Sequence, residues 1–186
     1  MADRTQNQIM LAGELYDPYD PELREKRRSA RRLVHAYNAT SPDDDRPAIL
    51  RELLGGMGAG VTIHPPFHCD YGENIFVGSN VYMNVGCVIL DCNNVEIEDN
   101  VMFGPHVQLY AAYHPVEASE RIKKLELSSP IRVKENVWVG GGAIILPGVT
   151  IGENSTIGAG AVVTRDVPSG VVAAGNPARI IRRIEQ

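Results

Sequence analysis

Apolar side chains recur along most of this chain at intervals of six. Ile63, Cys69, Ile75, Val81 and Cys87 stand in one phase, Asn93-Asn94 slips it by two residues, and Val95, Val101 and Val107 resume it. After an interruption the phase returns at Ile131, Val137, Ala143, Val149, Ser155, Ala161, Val167 and Ala173. Two places further on, most hexads carry a second apolar residue: Val77, Met83, Ile89, Ile97, Phe103, Leu109, Val133, Val139, Ile145, Ile151, Ile157 and Val163. Gly commonly follows it, as in IFVGSN and VTIGEN. An apolar pair at i and i+2 puts two side chains on one face of a short extended segment. Gly and Asn then tolerate the positive φ that a corner needs. Three hexads make one triangular coil of about 18 residues, and coils stack at about the 4.8 Å inter-strand spacing. Each strand pairs with the coils above and below, which satisfies its backbone polar groups. An antiparallel sheet of short strands is the competing reading, and the long in-phase run from Ile131 to Ala173 favours the parallel β-helix. Periodicity alone does not set its handedness.

Residues 1–57 follow another period and read as helical. PELREKRRSARRLVHAYNAT carries Leu23, Ala30, Leu33, Val34 and Tyr37 at helical intervals, with Pro21 in the first turn. SPDDDRPAILRELLGG reads as a shorter helix, acidic at its start and ended by Gly55-Gly56. Such a cap protects the open end of a β-helix from edge pairing. The basic run from Arg24 to Arg32 is read as a solvated helix face. The expected organisation is a helical cap over 1–57 and a β-helix over 58–186, with a loop at 111–130 and a C-terminal tail.

Composition narrows the function classes. Eighteen Gly beside three Phe, seven Tyr and one Trp suit tight corners and small aliphatic layers, not a helical bundle. A net charge of −5 argues against non-specific nucleic-acid binding, which needs a basic face. Three cysteines without CxxC spacing indicate neither a disulfide framework nor a zinc knuckle. No apolar run approaches the roughly 18 residues of a membrane span, and the N-terminus lacks a signal-peptide pattern. A cytoplasmic protein with no nucleic-acid or membrane partner is expected.

Candidate chemistry gathers where the period breaks. AAYHPVEASERIKKLELSSP, residues 111–130, cannot continue the hexads and must be extruded. It holds His114, which Pro115 biases towards extended backbone, and a histidine is the natural general base for a hydroxyl at neutral pH. A solvated loop histidine is the plainer alternative. His64 and His68 flank Pro65-Pro66 on a corner, and His106 follows Gly104-Pro105. The spacing of His106 and His114 does not suit a three-His metal site, so no metal is expected. Cys69 and Cys87 fall on the repeat phase and are expected to pack inward, whereas Cys92 lies at the slip and is expected to be more exposed.

The segments LAGELYDP, FHCDYGENIFVG, YMNVGCVILD, YHPV and VWVGGGAIILPGVTIGENSTIGAGAVVTRDVPSGVVAAGNPARII together resemble the maltose and galactoside O-acetyltransferases, and the nodulation acetyltransferases are similar. The resemblance spans essentially the whole chain. It implies a left-handed parallel β-helix and direct acetyl transfer from acetyl-CoA to a sugar hydroxyl. It makes His114 the general base and Asn84 a residue that positions the reacting groups. Asp17, Asp70, Tyr82, Asp91 and Glu126, with Asn84, match acceptor-binding positions, and carboxylates there can accept hydrogen bonds from vicinal hydroxyls. Asp17 could equally serve the turn before Pro18, and Asn84 could ladder at a corner. For the donor, Trp138 and Gly141 match the pantetheine arm, with the Gly141 N–H a candidate oxyanion donor. Ala159, Thr164 and Arg165 match further coenzyme A contacts, and Arg179 and Arg182 its phosphates. Arg165, Arg179, Arg182 and Arg183 make a local basic patch suited to phosphate, although a solvated terminal helix would also explain the tail.

Two departures stand out: Gly141 replaces a Ser found in part of the family, and the bulky Tyr113 precedes His114. The expectation is a homotrimeric enzyme with active sites between subunits, acetylating a primary hydroxyl of a hexose or small oligosaccharide. A non-sugar acceptor, and a metal-binding β-helix of the γ-carbonic anhydrase kind, are the rivals.

Overall fold

The computed structural model describes residues 4–41 and 46–185. Three helices form the cap. Helix α1 (Gln6–Leu11) opens with a reciprocal capping box between Thr5 and Gln8. Helix α2 (Pro21–Asn38) starts where Asp20 accepts the N–H groups of Glu22 and Leu23, and it buries Leu23, Ala30, Val34 and Tyr37. Leu33, expected with them, is only partly buried. Helix α3 (Arg46–Leu53) turns Leu50 and Leu53 inward; the acidic start expected for it, at 43–45, lies outside the described residues. The cap is tied to the first coil by polar contacts as well as by packing. The Tyr37 hydroxyl donates to the Ile63 carbonyl, and Asn38 exchanges two hydrogen bonds with the Phe67 backbone at 2.9 and 2.8 Å.

Beyond the cap the chain winds as a parallel solenoid of about six turns, as the repeat implied. Its first face stacks Gly56–Met57, Ile75–Val77, Val95–Ile97, Ile131–Val133 and Thr150–Ile151. The second runs from Thr62–Ile63 through Tyr82–Met83, Met102–Phe103, Trp138–Val139 and Thr156–Ile157 to Val171–Ala174. The third stacks His68–Cys69, Val88–Leu90, Gln108–Tyr110, Ile144–Ile145 and Val162–Val163. Inward residues such as Ile75, Ile89, Ile131, Ile145 and Ile157 have no exposed surface. Each such aliphatic side chain contributes about 1.5–3 kcal/mol by leaving water. Asn80, Asn100, Asn136 and Asn154 line the corner between faces one and two at φ near +58°. Their amides join in one ladder, with N···O distances of 3.3, 3.2 and 3.0 Å.

The coils are not equally long, and all the variation falls at one corner, between faces three and one. Partners on adjacent coils are 20 residues apart at Thr62↔Tyr82 and Tyr82↔Met102, 36 at Met102↔Trp138, 18 at Trp138↔Thr156 and 16 at Thr156↔Val172. This corrects the phase read from the hexads at the two ends of the stack. Ile63 stacks with Met83 and Cys69 with Ile89, so both belong to the second apolar set, and Val61 and Phe67 precede them in the first. Val167 opposite Ile151, and Ala173 opposite Ile157, are displaced in the same way. Two-residue insertions and a deletion are hidden in the sequence because an apolar pair shifted by two still alternates correctly.

After the last coil, Arg179–Arg183 returns antiparallel to Val171–Ala174 as an exposed strand. The tail is therefore a hairpin arm, not a terminal helix.

Candidate functional site

The corner with variable coil lengths also carries two of the candidate carboxylates, Asp70 and Asp91. The loop at 111–130 leaves it as a two-stranded arm, with Ala112–Tyr113 antiparallel to Leu127–Ser128, and carries the short helix α4 (Ala118–Arg121). The arm is pinned from the cap side. Tyr16 and Glu126 exchange backbone hydrogen bonds of 3.0 and 3.1 Å, and the buried Tyr16 hydroxyl donates to Glu126 Oε2 at 2.7 Å. The other carboxylate oxygen, Glu126 Oε1, stands 4.0 Å from His114 Nε2. The His114 side chain is 54% exposed and that of Glu126 only 23%, so the imidazole faces solvent on one side and a fixed anion on the other.

Beneath the arm, Asp70 and Asp91 occupy the same corner in successive coils. Asp91 is fully buried. Its Oδ1 accepts the N–H groups of Asp70 and Tyr71, both at 2.9 Å, while its Oδ2 has no partner among the described residues. Burial pushes its carboxyl up to about 7, with the Tyr71 N–H pulling the other way. Asp91 thus reaches this edge only through the Asp70 backbone that it holds. Burial also raises the Asp70 carboxyl, opposed by the Cys92 thiol and by Arg27. The thiol donates to Asp70 Oδ2 at 3.7 Å.

Cys92 does not meet its expected exposure: it is buried with Met10, Tyr16, Leu23 and Tyr71 in a small core under the cap. The two inserted residues at this corner give the cap something to pack against. Cys69 is partly buried and Cys87 buried, and burial raises all three thiols, Cys87 to about 11, which leaves none of them a ready nucleophile. A cavity of about 190 Å³ opens here, lined by Tyr19, Arg27, Arg31, Asp70, Cys92 and Glu126. Asp17 is exposed nearby in the chain, and its Oδ1 accepts the Tyr19 N–H at 2.8 Å, so it does serve the turn while leaving its other oxygen open.

The remaining candidates lie elsewhere on the prism. Asn84 is at the corner between faces two and three, where its Oδ1 accepts the adjacent Val85 N–H at 2.8 Å; it takes no part in the asparagine ladder. Tyr82 lies on face two, edge-on to His64 with ring centroids 5.3 Å apart. Trp138 is half exposed on the same face, two coils below and opposite Met102. Gly141 and Ala159 follow Asn84 down its corner, and neither backbone N–H has an acceptor among the described residues. Thr164 and Arg165 are exposed at the corner between faces three and one, while Arg179 and Arg182 are exposed on the tail hairpin beside face two. One chain therefore assembles His114, Glu126 and Asp70 at one edge and Asn84, Gly141 and Ala159 at another. Among the described residues, no group of three or more His, Cys, Asp and Glu side chains is placed to hold a metal, and no helix is long and apolar enough to cross a membrane.

Sequence reasoning missed Tyr16 and Arg27. Nothing in the chain marks a tyrosine 110 residues away as the partner of Glu126. Arg27 was hidden in a run of like charges, yet it bonds the Tyr71 hydroxyl and the Pro18 carbonyl.

Comparison with known proteins agrees with this geometry. Residues 9–58 match the maltose acetyltransferase hexapeptide capping motif, and residues 130–165 the bacterial transferase hexapeptide family. Nodulation protein L of Rhizobium meliloti (strain 1021) is 50% identical over 179 residues, covering 95% of this chain and 98% of that protein. The crystal structure of a maltose O-acetyltransferase from Clostridium difficile 630 superposes with a TM-score of 0.97 at 44% identity, covering 100% of both chains. The chain belongs to the maltose and galactoside O-acetyltransferase family. A galactoside acetyltransferase solved in complex with coenzyme A is 38% identical, with a TM-score of 0.95 over 98% of this chain and 92% of that one. In this acetyltransferase, the capping motif supplies Tyr16 and α2, and the hexapeptide coils supply the glycine corner.

Proposed function

We propose that this acetyltransferase moves acetyl from acetyl-CoA to a hydroxyl of a sugar such as glucose, maltose or a galactoside, by direct transfer in the cytoplasm. A primary hydroxyl is the least hindered nucleophile on such an acceptor. The observation that carries the reading is the half-exposed His114 imidazole held 4.0 Å from Glu126, a carboxylate that Tyr16 anchors.

His114 takes the proton from the acceptor hydroxyl as its oxygen attacks the thioester carbonyl. The C–O bond forms, the C–S bond breaks, and the departing thiolate recovers a proton. General-base assistance of this kind is worth about 10²–10⁴ in rate. Glu126 orients the ring and favours the imidazolium that forms during attack. Asp70 and Asp17 offer acceptor oxygens to the other sugar hydroxyls. Gly141 offers an unclaimed N–H to the negative charge that develops on the carbonyl oxygen. The donor fits the remaining residues: an exposed Trp138, a glycine corner without side chains, and an arginine hairpin for phosphates.

Within one chain the acceptor edge and the glycine corner are different corners of a triangle. A homotrimer of parallel prisms would set one chain's His114 arm against its neighbour's Asn84 and Gly141, completing each site between subunits. Exposed Val116 and Ile122 on the arm, 86% and 76% exposed, give it an apolar surface for such a neighbour.

Thiol release from acetyl-CoA, measured with glucose, maltose, a galactoside and chloramphenicol, tests the reading. Turnover on the sugars supports it, and turnover on chloramphenicol alone overturns it. Light scattering tests the assembly: a trimer mass is expected, and a concentrated, fully active monomer contradicts it.

A further inference from the structure

The small cavity at Asp70 and Glu126 adjoins a larger one. Tyr19, Arg27 and Arg31 line both, and the larger cleft, of about 670 Å³, continues along α2 past Arg24 and Arg28. The cleft lies between the turn at Tyr19 and the helix, on a chain whose overall charge is −5. Spacings of three and four residues put Arg24, Arg27, Arg28 and Arg31 on one side of α2.

These charges are incompletely neutralised. Glu25, the one carboxylate lining the cleft, is already shared between Arg28 and Arg32 at 3.8 and 3.5 Å. Arg27 is fixed by two neutral oxygens, the Tyr71 hydroxyl and the Pro18 carbonyl, so it is oriented without losing its charge. Arg24 and Arg31 are exposed and form no ion pair among the described residues. Beyond Glu25, the next acidic residues along the sequence are Asp17, Asp20 and Glu22, the side chains of Asp17 and Asp20 accepting backbone N–H groups, while Asp70 and Glu126 face Arg27 and Arg31 across the small cavity. The result is a polar gradient: carboxylates near the imidazole, then guanidinium groups further out.

From this arrangement we infer that the acceptor carries an anionic group, a carboxylate, phosphate or sulfate, which the α2 arginines bind while Asp70 and Glu126 receive the sugar hydroxyls. Guanidinium forks recognise these oxyanions with paired N–H donors. Hydroxyls are better served by carboxylate acceptors, and the two adjoining cavities separate the two functions. The inference rests on the proposed sugar acetylation, and it names the class of acceptor within it.

Matched acceptors test it. Thiol release is measured with methyl β-galactoside, galactose 1-phosphate and 4-carboxyphenyl β-galactoside at low ionic strength. The charged acceptors are expected to have kcat/KM about tenfold or more above the neutral one, a modest effect for charge-assisted hydrogen bonds. The ratio should fall as salt is raised and approach one in Arg24→Ala/Arg31→Ala. Because both residues are exposed on a helix and Ala is the strongest helix former, the variant should fold. Equal or lower kcat/KM for the charged acceptors in the unmodified enzyme overturns the inference while leaving sugar acetylation intact. So does a preference that survives the double substitution. Failure of all three sugars to release thiol removes the underlying reading as well.

Discussion

Tyr16 and Glu126 are joined by three hydrogen bonds, two between their backbones and one from the phenol to Oε2 at 2.7 Å. A buried tyrosine of the cap thereby holds the carboxylate that faces His114. Besides packing against the first coil, the cap has a second task.

Tyr16→Phe isolates that task, because it keeps the buried ring and deletes only the donor. Stability should drop by about 1.5–3 kcal/mol, the range for one hydrogen bond to a charged group. The kcat/KM for a sugar should fall about tenfold, as expected when a catalytic group loses its orientation. Glu126→Gln should lower it too, and the two changes combined should cost less than the sum of the separate effects. Additive losses in that cycle would show that the tyrosine does not act through Glu126.

Asp91 predicts a pH dependence. Its carboxyl is raised from 3.8 to about 7 in the folded chain, so between those values the folded state holds a proton that the unfolded state has released. Stability from this group is complete below pH 4 and is lost as pH rises towards 7, at up to about 1.4 kcal/mol per pH unit. In Asp91→Asn the amide oxygen can still accept from Asp70 and Tyr71, but the NH₂ takes the place of Oδ2, which has no hydrogen-bond partner among the described residues. The variant should be less stable than the parent near pH 5, and the gap should narrow by pH 8. Denaturant melts at both pH values measure it; a gap independent of pH would contradict the assignment.

Two glycines at one corner should respond differently to alanine. A Cβ on Gly140 would lie 2.5 Å from the Ala159 nitrogen, which is backbone and cannot move aside. A Cβ on Gly142 meets nothing within 4 Å, and only its φ of +69° resists the change. Gly142→Ala should cost about 1–2 kcal/mol, whereas Gly140→Ala should disrupt the stacking of two coils and cost several. Thermal melts rank them, and equal costs would contradict the coil register.

The stacked coils, the cap and the extruded arm were legible in the sequence because each follows from a local pattern. The hexads mark extended segments, the helical spacing marks α2, and a stretch without either must leave the stack. Register was less legible: Ile63, Cys69, Val167 and Ala173 were out of step by two residues, since either assignment keeps apolar side chains inward. Cys92 looked exposed because the slip was visible and the cap that covers it was not. His114, Glu126, Asp70 and Asp91 could be named as candidates, but Tyr16 and Arg27, which fix their surroundings, could not. The contact of Tyr16 with Glu126, and the adjacency of the arginine cleft to the Asp70 cavity, are products of folding that no spacing along the chain encodes.

The central claim is that an imidazole on the extruded arm removes the acceptor's proton. Its most direct measurement is kcat/KM for acetyl-CoA-dependent sugar acetylation by His114→Ala, with the melting temperature recorded alongside. The side chain is half exposed, so the melting temperature should hardly change, while kcat/KM should fall on the order of 100-fold or more. A variant that folds normally and keeps the full rate would contradict the mechanism.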